Sequence, residues 1–195
     1  MPARIKAMDH YVDVEVRPDP EFGSSQLMSA LYSKLHRALV VQNGQHIGMS
    51  LPDVDAQATP LPGLRLRLHG TFTTLSALLA SDWLAGMRDH VVLTLPTPIP
   101  DNAQHRIVRR VQVKSSPERL RRRLMRRHDL DEQTARQRIP DDLARFTRLP
   151  FLQLRSTSTG QAFRLFIEHG PIQPNSVSGN FSSYGLSQGA TIPWF

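Results

Sequence analysis

Residues 11–44, YVDVEVRPDPEFGSSQLMSALYSKLHRALVVQNG, indicate the fold class most clearly. This stretch opens with three valines that alternate with polar neighbours, which is typical of a strand with one buried face. Leucines at helical spacing follow, and they predict a helix capped by Ser24 or Ser25 that ends at Asn43-Gly44. A strand followed by an amphipathic helix is the first half of a split βαβ arrangement.

The next segments of the chain complete that arrangement. Strands are predicted at 46–52, 64–70 and 91–96, and a second helix is marked by Leu75, Leu78, Leu79, Trp83 and Leu84. The order βαββαβ predicts a ferredoxin-like domain, the arrangement shared by RNA-recognition modules. Topology alone does not define function, because many such domains bind no RNA.

The charge of the chain changes sign along its length. Residues 1–105 hold 8 Lys/Arg and 10 Asp/Glu, a balance of −2, and residues 106–195 hold 16 and 7, a balance of +9, which together give +7. The segment TPIPDNAQ (97–104) lies where the sign changes, so we predict that it is a linker between domains 1–104 and 105–195. Charge this localised favours a polyanionic partner.

The second half predicts a smaller α+β domain. Residues 106–113 are extended in pattern, and a helix follows with capping-box spacing between Ser115 and Glu118. Shorter helices are predicted at 131–139 and 141–148, each ended by a proline. Residues 151–170 alternate on both sides of a Ser-Thr-Gly turn, which predicts a β-hairpin, and the last 25 residues predict short strands and loops.

The helix after the capping box carries many arginines. At 100° per residue, a stripe about 140° wide contains Arg119, Arg122, Arg123, Arg126 and Arg127. Leu120 and Leu124 lie beside the stripe and form a narrow strip able to dock the helix. A solvated face would carry acids at i±4, and here there is only Glu118, so the pattern favours nucleic-acid binding.

The kind of nucleic acid follows from the composition of that face. Arginines alone suit phosphates along a structured groove, such as that of an RNA hairpin, better than base readout in DNA. Arg110 and Gln112 are two residues apart on the extended segment, would share one strand face, and are good readers of base edges.

Composition excludes several classes of protein. The 195 residues contain no cysteine, which excludes disulfides, thiolate zinc sites, iron–sulfur clusters and a cysteine nucleophile. No acidic cluster suited to Mg²⁺ is evident, so we expect neither a metal nor a cofactor. The start lacks a signal peptide, and no run reaches the ~20 apolar residues of a membrane helix, so a soluble, cytoplasmic protein without membrane association is expected.

Several motifs together resemble one known family. MDHYVDVEVRPDPEF, KLHRAL, RVQVKSSPERLRRRLMRRHDL, LPFLQLRSTSTGQAFRLFIEHGP and YGLSQGATIPWF are similar to the type I-F CRISPR RNA-processing endoribonucleases, the Csy-type nucleases of precursor CRISPR RNA. The resemblance implies an arginine-rich helix in the major groove of the CRISPR-repeat hairpin and metal-free cleavage at the base of the stem. It also implies a subunit that is monomeric in isolation, keeps its product bound, and joins the other subunits of the type I-F crRNA-guided complex.

The resemblance assigns roles to individual residues. His36 matches the catalytic histidine, Ser156 the catalytic serine and Tyr184 the active-site tyrosine. Contacts to the RNA are implied for Arg110, Gln112, Arg119, Arg123, Arg126, Arg127 and His128, with Phe163 stacking on the terminal base pair of the stem. From the residues alone, His36 would be an ordinary structural histidine and Phe163 a core residue.

The chemistry is consistent with those assignments. RNA carries its own nucleophile, the 2′-hydroxyl, so the enzyme needs a proton-transfer group and a residue that orients the hydroxyl. His36 and Ser156 would fill these roles, and the products would be a 2′,3′-cyclic phosphate and a 5′-hydroxyl. The alternatives are a non-catalytic subunit that binds the RNA hairpin of a crRNA-guided complex, and a basic DNA-binding or ribosome-associated protein.

Overall fold

The computed structural model describes residues 8–54, 61–112, 117–139, 149–156 and 159–195, with the backbone alone for 117–119. The chain divides into two compact units. The first consists of Met1–Val111 together with Leu149–Phe195, and the second is Gln112–Arg148. These units reflect packing, so the functional division between residues 104 and 105 stays a prediction.

An antiparallel sheet and its helices form the N-terminal part of the first unit. Its elements are β1 (His10–Val16), α1 (Ser24–Val41), β2 (Gly48–Ser50), β3 (Arg65–Gly70), α2 (Phe72–Ala80), a 3-10 helix (Arg88–His90), β4 (Val91–Leu93) and β5 (Thr97–Pro98). The strand order is β2-β3-β1-β4, with every neighbouring pair antiparallel, and β5 also pairs with β1. This is the ferredoxin-like topology, so the predicted α+β class is confirmed.

The core forms on the predicted faces of β1 and α1. Val12, Val14 and Val16 are 0%, 0% and 1% exposed, and Leu31 and Leu35 of α1 are fully buried in the same cluster. Burying a side chain of this size contributes about 1.5–3 kcal/mol. The residues that the strand and helix periodicities predict to face the core are therefore buried in it.

The ends of both helices differ from the prediction. Gly23, and neither Ser24 nor Ser25, occupies the N-cap of α1, and no side chain caps this helix. The second helix stops at Ala80, because the next residue is extended, so Trp83 and Leu84 lie beyond it. Both are nevertheless buried, at 8% and 7% exposed, which explains why their spacing looked like a continuation of the helix.

Two further sheets complete the first unit. They contain β6 (Gln104–Arg106), β7 (Val108–Val111), β8 (Phe151–Arg155), β9 (Ala162–His169) and β10 (Ile192–Trp194). The order in one sheet is β7-β9-β8, and in the other β6 pairs with β10. The extended prediction for 106–113 is confirmed as far as residue 111. The predicted linker 97–104 contributes residues to β5 and β6, so part of it is strand.

The predicted β-hairpin is confirmed. β8 and β9 are antiparallel, with Leu154 opposite Phe163. At the turn, Ser156 N donates to Gln161 O at 2.9 Å, and Gly160 N donates to Ser156 O at 2.9 Å. Gly160 has a φ of 67°, a left-handed conformation that glycine adopts without a Cβ penalty.

The second unit contains α3 (Pro117–His128) and α4 (Glu132–Arg138). Asp131 is the N-cap of α4, and its Oδ1 accepts a hydrogen bond from Thr134 N at 2.7 Å. This matches the helix predicted at 131–139. The predicted Ser115–Glu118 capping box and the predicted helix 141–148 lie outside the described residues and side chains. Among the helices that the structure describes, none is long and apolar enough to cross a membrane.

Candidate active site and nucleic-acid interface

His36 lies on α1 with its imidazole held from two directions. Its Nδ1 donates a hydrogen bond to Ser183 O at 2.8 Å, and its ring stacks on Tyr184, with centroids 4.1 Å apart and planes 5° apart. Because a carbonyl oxygen only accepts, Nδ1 carries a proton, and Nε2 of the neutral ring has a lone pair. Nε2 has no hydrogen-bond partner in the described part of the chain, so it is available to take a proton from a substrate.

The turn that holds His36 is itself fixed by the core. Tyr32, fully buried on α1, donates its hydroxyl to Tyr184 O at 2.7 Å, and Met49 N donates to Gly185 O at 2.9 Å. Burial raises the pKa of Tyr32 well above its ordinary value, so the hydroxyl remains a donor. Gly185 has a φ of 66°, and a Cβ there would lie 3.0 Å from Met49 Cγ. The turn therefore requires glycine at this position.

Arg110 and Phe163 extend the same cluster. The guanidinium of Arg110, on β7, lies 5.6 Å from the ring centroid of Tyr184 and 5.7 Å from that of Phe163. Its neighbour Arg109 pairs with Glu168 at 2.6 Å, whereas no ion pair of the described residues includes Arg110. Phe163 is half-buried at the end of the β9 face whose inner members are fully buried, so it combines core packing with an accessible ring.

Ser156 directly follows the last residue of β8, at the start of the hairpin turn. It is half-buried, and its Oγ accepts a hydrogen bond from Thr159 N at 3.3 Å. β8 packs on α1, where Gln153 N donates to Ser29 Oγ at 3.1 Å. The structure thus joins His36, Tyr184, Arg110 and Phe163 by direct contacts, and places Ser156 at the end of the strand that packs on the histidine's helix.

Around Arg67, the outer face of the first sheet is covered by Phe195. Arg67, 7% exposed on β3, donates two hydrogen bonds to Asp13, at 2.7 and 2.9 Å, and one to Phe195 O at 3.1 Å. Its guanidinium also lies 4.7 Å from the Tyr11 ring and 4.2 Å from the Phe195 ring. RNA-recognition modules stack bases on aromatics of the sheet. Here the Tyr11 ring already contacts Arg67 and Phe195, an arrangement that the sequence pattern did not predict although it predicted the topology.

The arginine-rich helix is exposed along its predicted stripe. Arg122, Arg123, Arg126, Arg127 and His128 are exposed on α3, and Leu120 and Leu124 are half-buried. Among the described residues, none of these four arginines forms an ion pair. The side chain of Arg119 is outside the described part. Gln112 is exposed one residue beyond β7 and belongs, like α3, to the second unit.

Arg121 is the residue of α3 that the stripe left out. It is 6% exposed, and its Nε donates to Ile139 O at 2.7 Å, just beyond α4. On the helical wheel it lies on the side opposite the stripe, which was the available signal that it points into the protein. It fastens α3 within the second unit, while the four exposed arginines of the helix remain available to a partner.

The described residues offer no obvious metal-binding group. No cluster of three or more His, Cys, Asp or Glu occurs in the parts of the chain covered by the structure.

The fold and site together define a class. A ferredoxin-like sheet and a basic helix with four exposed arginines are typical of proteins that bind nucleic acid. Residues 11–195 match the model of the family described as CRISPR-associated protein (Cas_Csy4), and the chain belongs to this family.

Two relatives cover nearly all of the chain. A CRISPR-associated endonuclease Cas6/Csy4 of Pseudomonas aeruginosa (strain UCBPP-PA14) is 57% identical over 188 residues, which is 96% of this chain and 100% of the relative. A CRISPR-associated endonuclease Cas6/Csy4 of Escherichia coli (strain UTI89 / UPEC) is 48% identical over 188 residues, again 96% of this chain and 100% of the relative. These matches confirm the predicted family and the prediction that the chain is an endonuclease.

Proposed function

We propose that this protein is a metal-independent endoribonuclease that recognises the hairpin of CRISPR repeat RNA and cleaves at the base of its stem. The observation that carries the proposal is the state of His36. With Nδ1 bound to the Ser183 carbonyl and the ring stacked on Tyr184, Nε2 is left as a proton acceptor of fixed direction. A histidine held in this way suits transesterification, in which the nucleophile belongs to the RNA.

In the proposed reaction, Nε2 of His36 takes the proton of the 2′-hydroxyl next to the scissile phosphate. The 2′-oxygen bonds to phosphorus, and the bond from phosphorus to the 5′-oxygen breaks. The departing oxygen takes a proton from water, and the hydroxide left behind takes the proton held by His36, which restores the neutral imidazole. The products are a 2′,3′-cyclic phosphate and a 5′-hydroxyl. Ser156 would hold the 2′-hydroxyl in line, which lowers the barrier through orientation.

We propose that RNA binds to two groups of residues: those at and next to the cluster around His36, and the basic residues of α3. Phe163 would stack on the terminal base pair of the stem, while Arg110 and Gln112 read base edges in its lower part. Arg119, Arg122, Arg123, Arg126, Arg127 and His128 would contact phosphates, which gives affinity without sequence information. We further propose that the product hairpin stays bound, and that the protein acts with other subunits of a type I-F crRNA-guided complex.

The test is single-turnover cleavage of the cognate repeat RNA in the presence of EDTA. We expect cleavage to persist, and to disappear when the scissile nucleotide carries a 2′-deoxy sugar. His36→Ala should reduce the rate about 10²–10⁴-fold while the RNA still binds. Loss of cleavage in EDTA, or cleavage of the deoxy substrate, would overturn the mechanism. Tight binding without cleavage by either form would indicate the non-catalytic alternative.

A further inference from the structure

A groove of about 710 Å³ runs between α1 and β8 in the first unit. Ser25, Gln26 and Ser33 line it from α1, and Phe151, Gln153 and Arg155 line it from β8. The mechanism and the RNA contacts proposed above use none of these residues.

One end of the groove adjoins the proposed catalytic residues along both walls. On β8, Arg155 directly precedes Ser156. On α1, Ser33 precedes His36 by three residues, a rise of about 4.5 Å along the helix. On the helical wheel, Ser25, Ser33 and His36 fall within about 80° of one another, so they share one face of α1.

The chemistry of the walls suits a single strand of RNA. The lining contains one cation, Arg155, and no acid, and Arg155 is exposed without an ion pair among the described residues. Phe151 supplies a half-buried ring with the guanidinium of Arg164 4.6 Å from its centroid. The side-chain amides of Gln26 and Gln153 are exposed and make no hydrogen bond within the described chain. A cation, an aromatic ring and uncharged polar groups are the usual elements of single-strand binding.

We propose that this groove binds the single-stranded RNA on the 3′ side of the scissile phosphate. The inference rests on the proposed function, in which the hairpin is the retained product and the strand beyond the cut leaves. That strand departs from the duplex at the catalytic residues, where the groove begins. A groove with one cation binds phosphates weakly compared with α3, which allows this product to dissociate.

The experiment compares equilibrium binding of two uncleavable hairpins, each 2′-deoxy at the scissile nucleotide. One carries a single nucleotide on the 3′ side, and the other carries ten. Wild-type protein should bind the longer RNA more tightly. Arg155→Gln and Gln26→Glu should each reduce that preference about two- to fivefold, the loss expected for one exposed charge contact. Because each protein is compared with itself, a general loss of affinity does not affect the ratio.

The matched control is Gln42→Glu, which adds the same charge just after α1 but outside the groove. It should leave the preference unchanged. Three results would overturn the inference. They are equal binding of both RNAs by the wild-type protein, equal effects of the groove and control variants, and an affinity that depends on the length of the 5′ flank instead of the 3′ flank. The hairpin with a single 3′ nucleotide can also be made with an unmodified 2′-hydroxyl at the scissile nucleotide. Its cleavage tests the proposed function separately, since this RNA does not extend along the groove.

Discussion

Acid should destabilise this protein through the buried His69 and the half-buried His169 well before carboxylates titrate. His69, on β3, is 0% exposed, and its Nε2 is 2.9 Å from Ser50 Oγ. His169, on β9, accepts a hydrogen bond at Nε2 from Leu51 N at 3.2 Å, which protonation of that nitrogen would break. Burial, followed by the charge of Arg67, lowers the pKa of His69 to about 3.

The pKa of His169 is lowered to about 4, by burial and then by the charge of Arg106. Both values lie below the ordinary histidine pKa of about 6.5, so the folded state binds fewer protons than the unfolded chain. The stabilisation is therefore complete above pH 6.5 and is lost as the pH falls towards 4 and 3. Linkage between pH 7 and pH 5 gives a loss of about 2 kcal/mol for each histidine. The sum, about 4 kcal/mol, is a large fraction of the free energy of unfolding of a typical protein, which is about 5–15 kcal/mol.

The measurement is the free energy of unfolding by urea at pH 7, 6 and 5, followed by tryptophan fluorescence and circular dichroism. The pKa values of Asp19 and Asp131 are lowered from 3.8 by hydrogen bonds from backbone N–H groups, so their contribution is lost only at lower pH. His169→Gln should remove about half of the pH dependence. A free energy of unfolding that is equal at pH 7 and pH 5, or a full slope in His169→Gln, would refute the reasoning.

Three pairs of substitutions test the structure further. Arg67→Ala should lower the free energy of unfolding by about 3–5 kcal/mol, because it removes a buried guanidinium and leaves the half-buried carboxylate of Asp13 without its partner. Arg88→Ala, at an exposed ion pair, should cost about 0–1 kcal/mol, and equal costs in urea titrations would contradict the assigned burial. Arg121→Ala should lower the melting temperature, whereas Arg122→Ala should preserve it and reduce the salt dependence of RNA binding by about one phosphate contact; identical behaviour would refute their separate roles. Tyr184→Phe should cleave like wild type while Tyr184→Ala loses about two- to tenfold in single-turnover rate, and a rate unchanged by alanine would show that stacking is unimportant.

Much of the fold could be predicted because its strands and helices bury regular faces. The alternating valines of β1 and the leucines of α1 both point into the core as expected. The helix ends could not be predicted, since Trp83 and Leu84 keep a helical spacing and are buried without being helical. The spacing of Trp83 and Leu84 thus predicts their burial correctly but not their backbone conformation.

The site was harder to predict because its parts meet only through tertiary structure. His36 is separated from Ser183 by 147 residues, and nothing local in the helix indicates that its Nδ1 meets that carbonyl. The family resemblance therefore carried the assignment of His36. For Arg121, by contrast, the helical wheel contained the signal, because this arginine falls outside the stripe of the others.

In the proposed function, affinity and chemistry respond to different variables because different residues carry them. The exposed arginines of α3 act through charge, so added salt should weaken RNA binding steeply. The imidazole of His36 is positioned by a neutral hydrogen bond and a stacked ring, and Tyr32 and Met49 hold the turn behind it. Salt screens such contacts little. The rate at saturating RNA should therefore change far less with salt than the affinity does, which separates the two roles without any mutation.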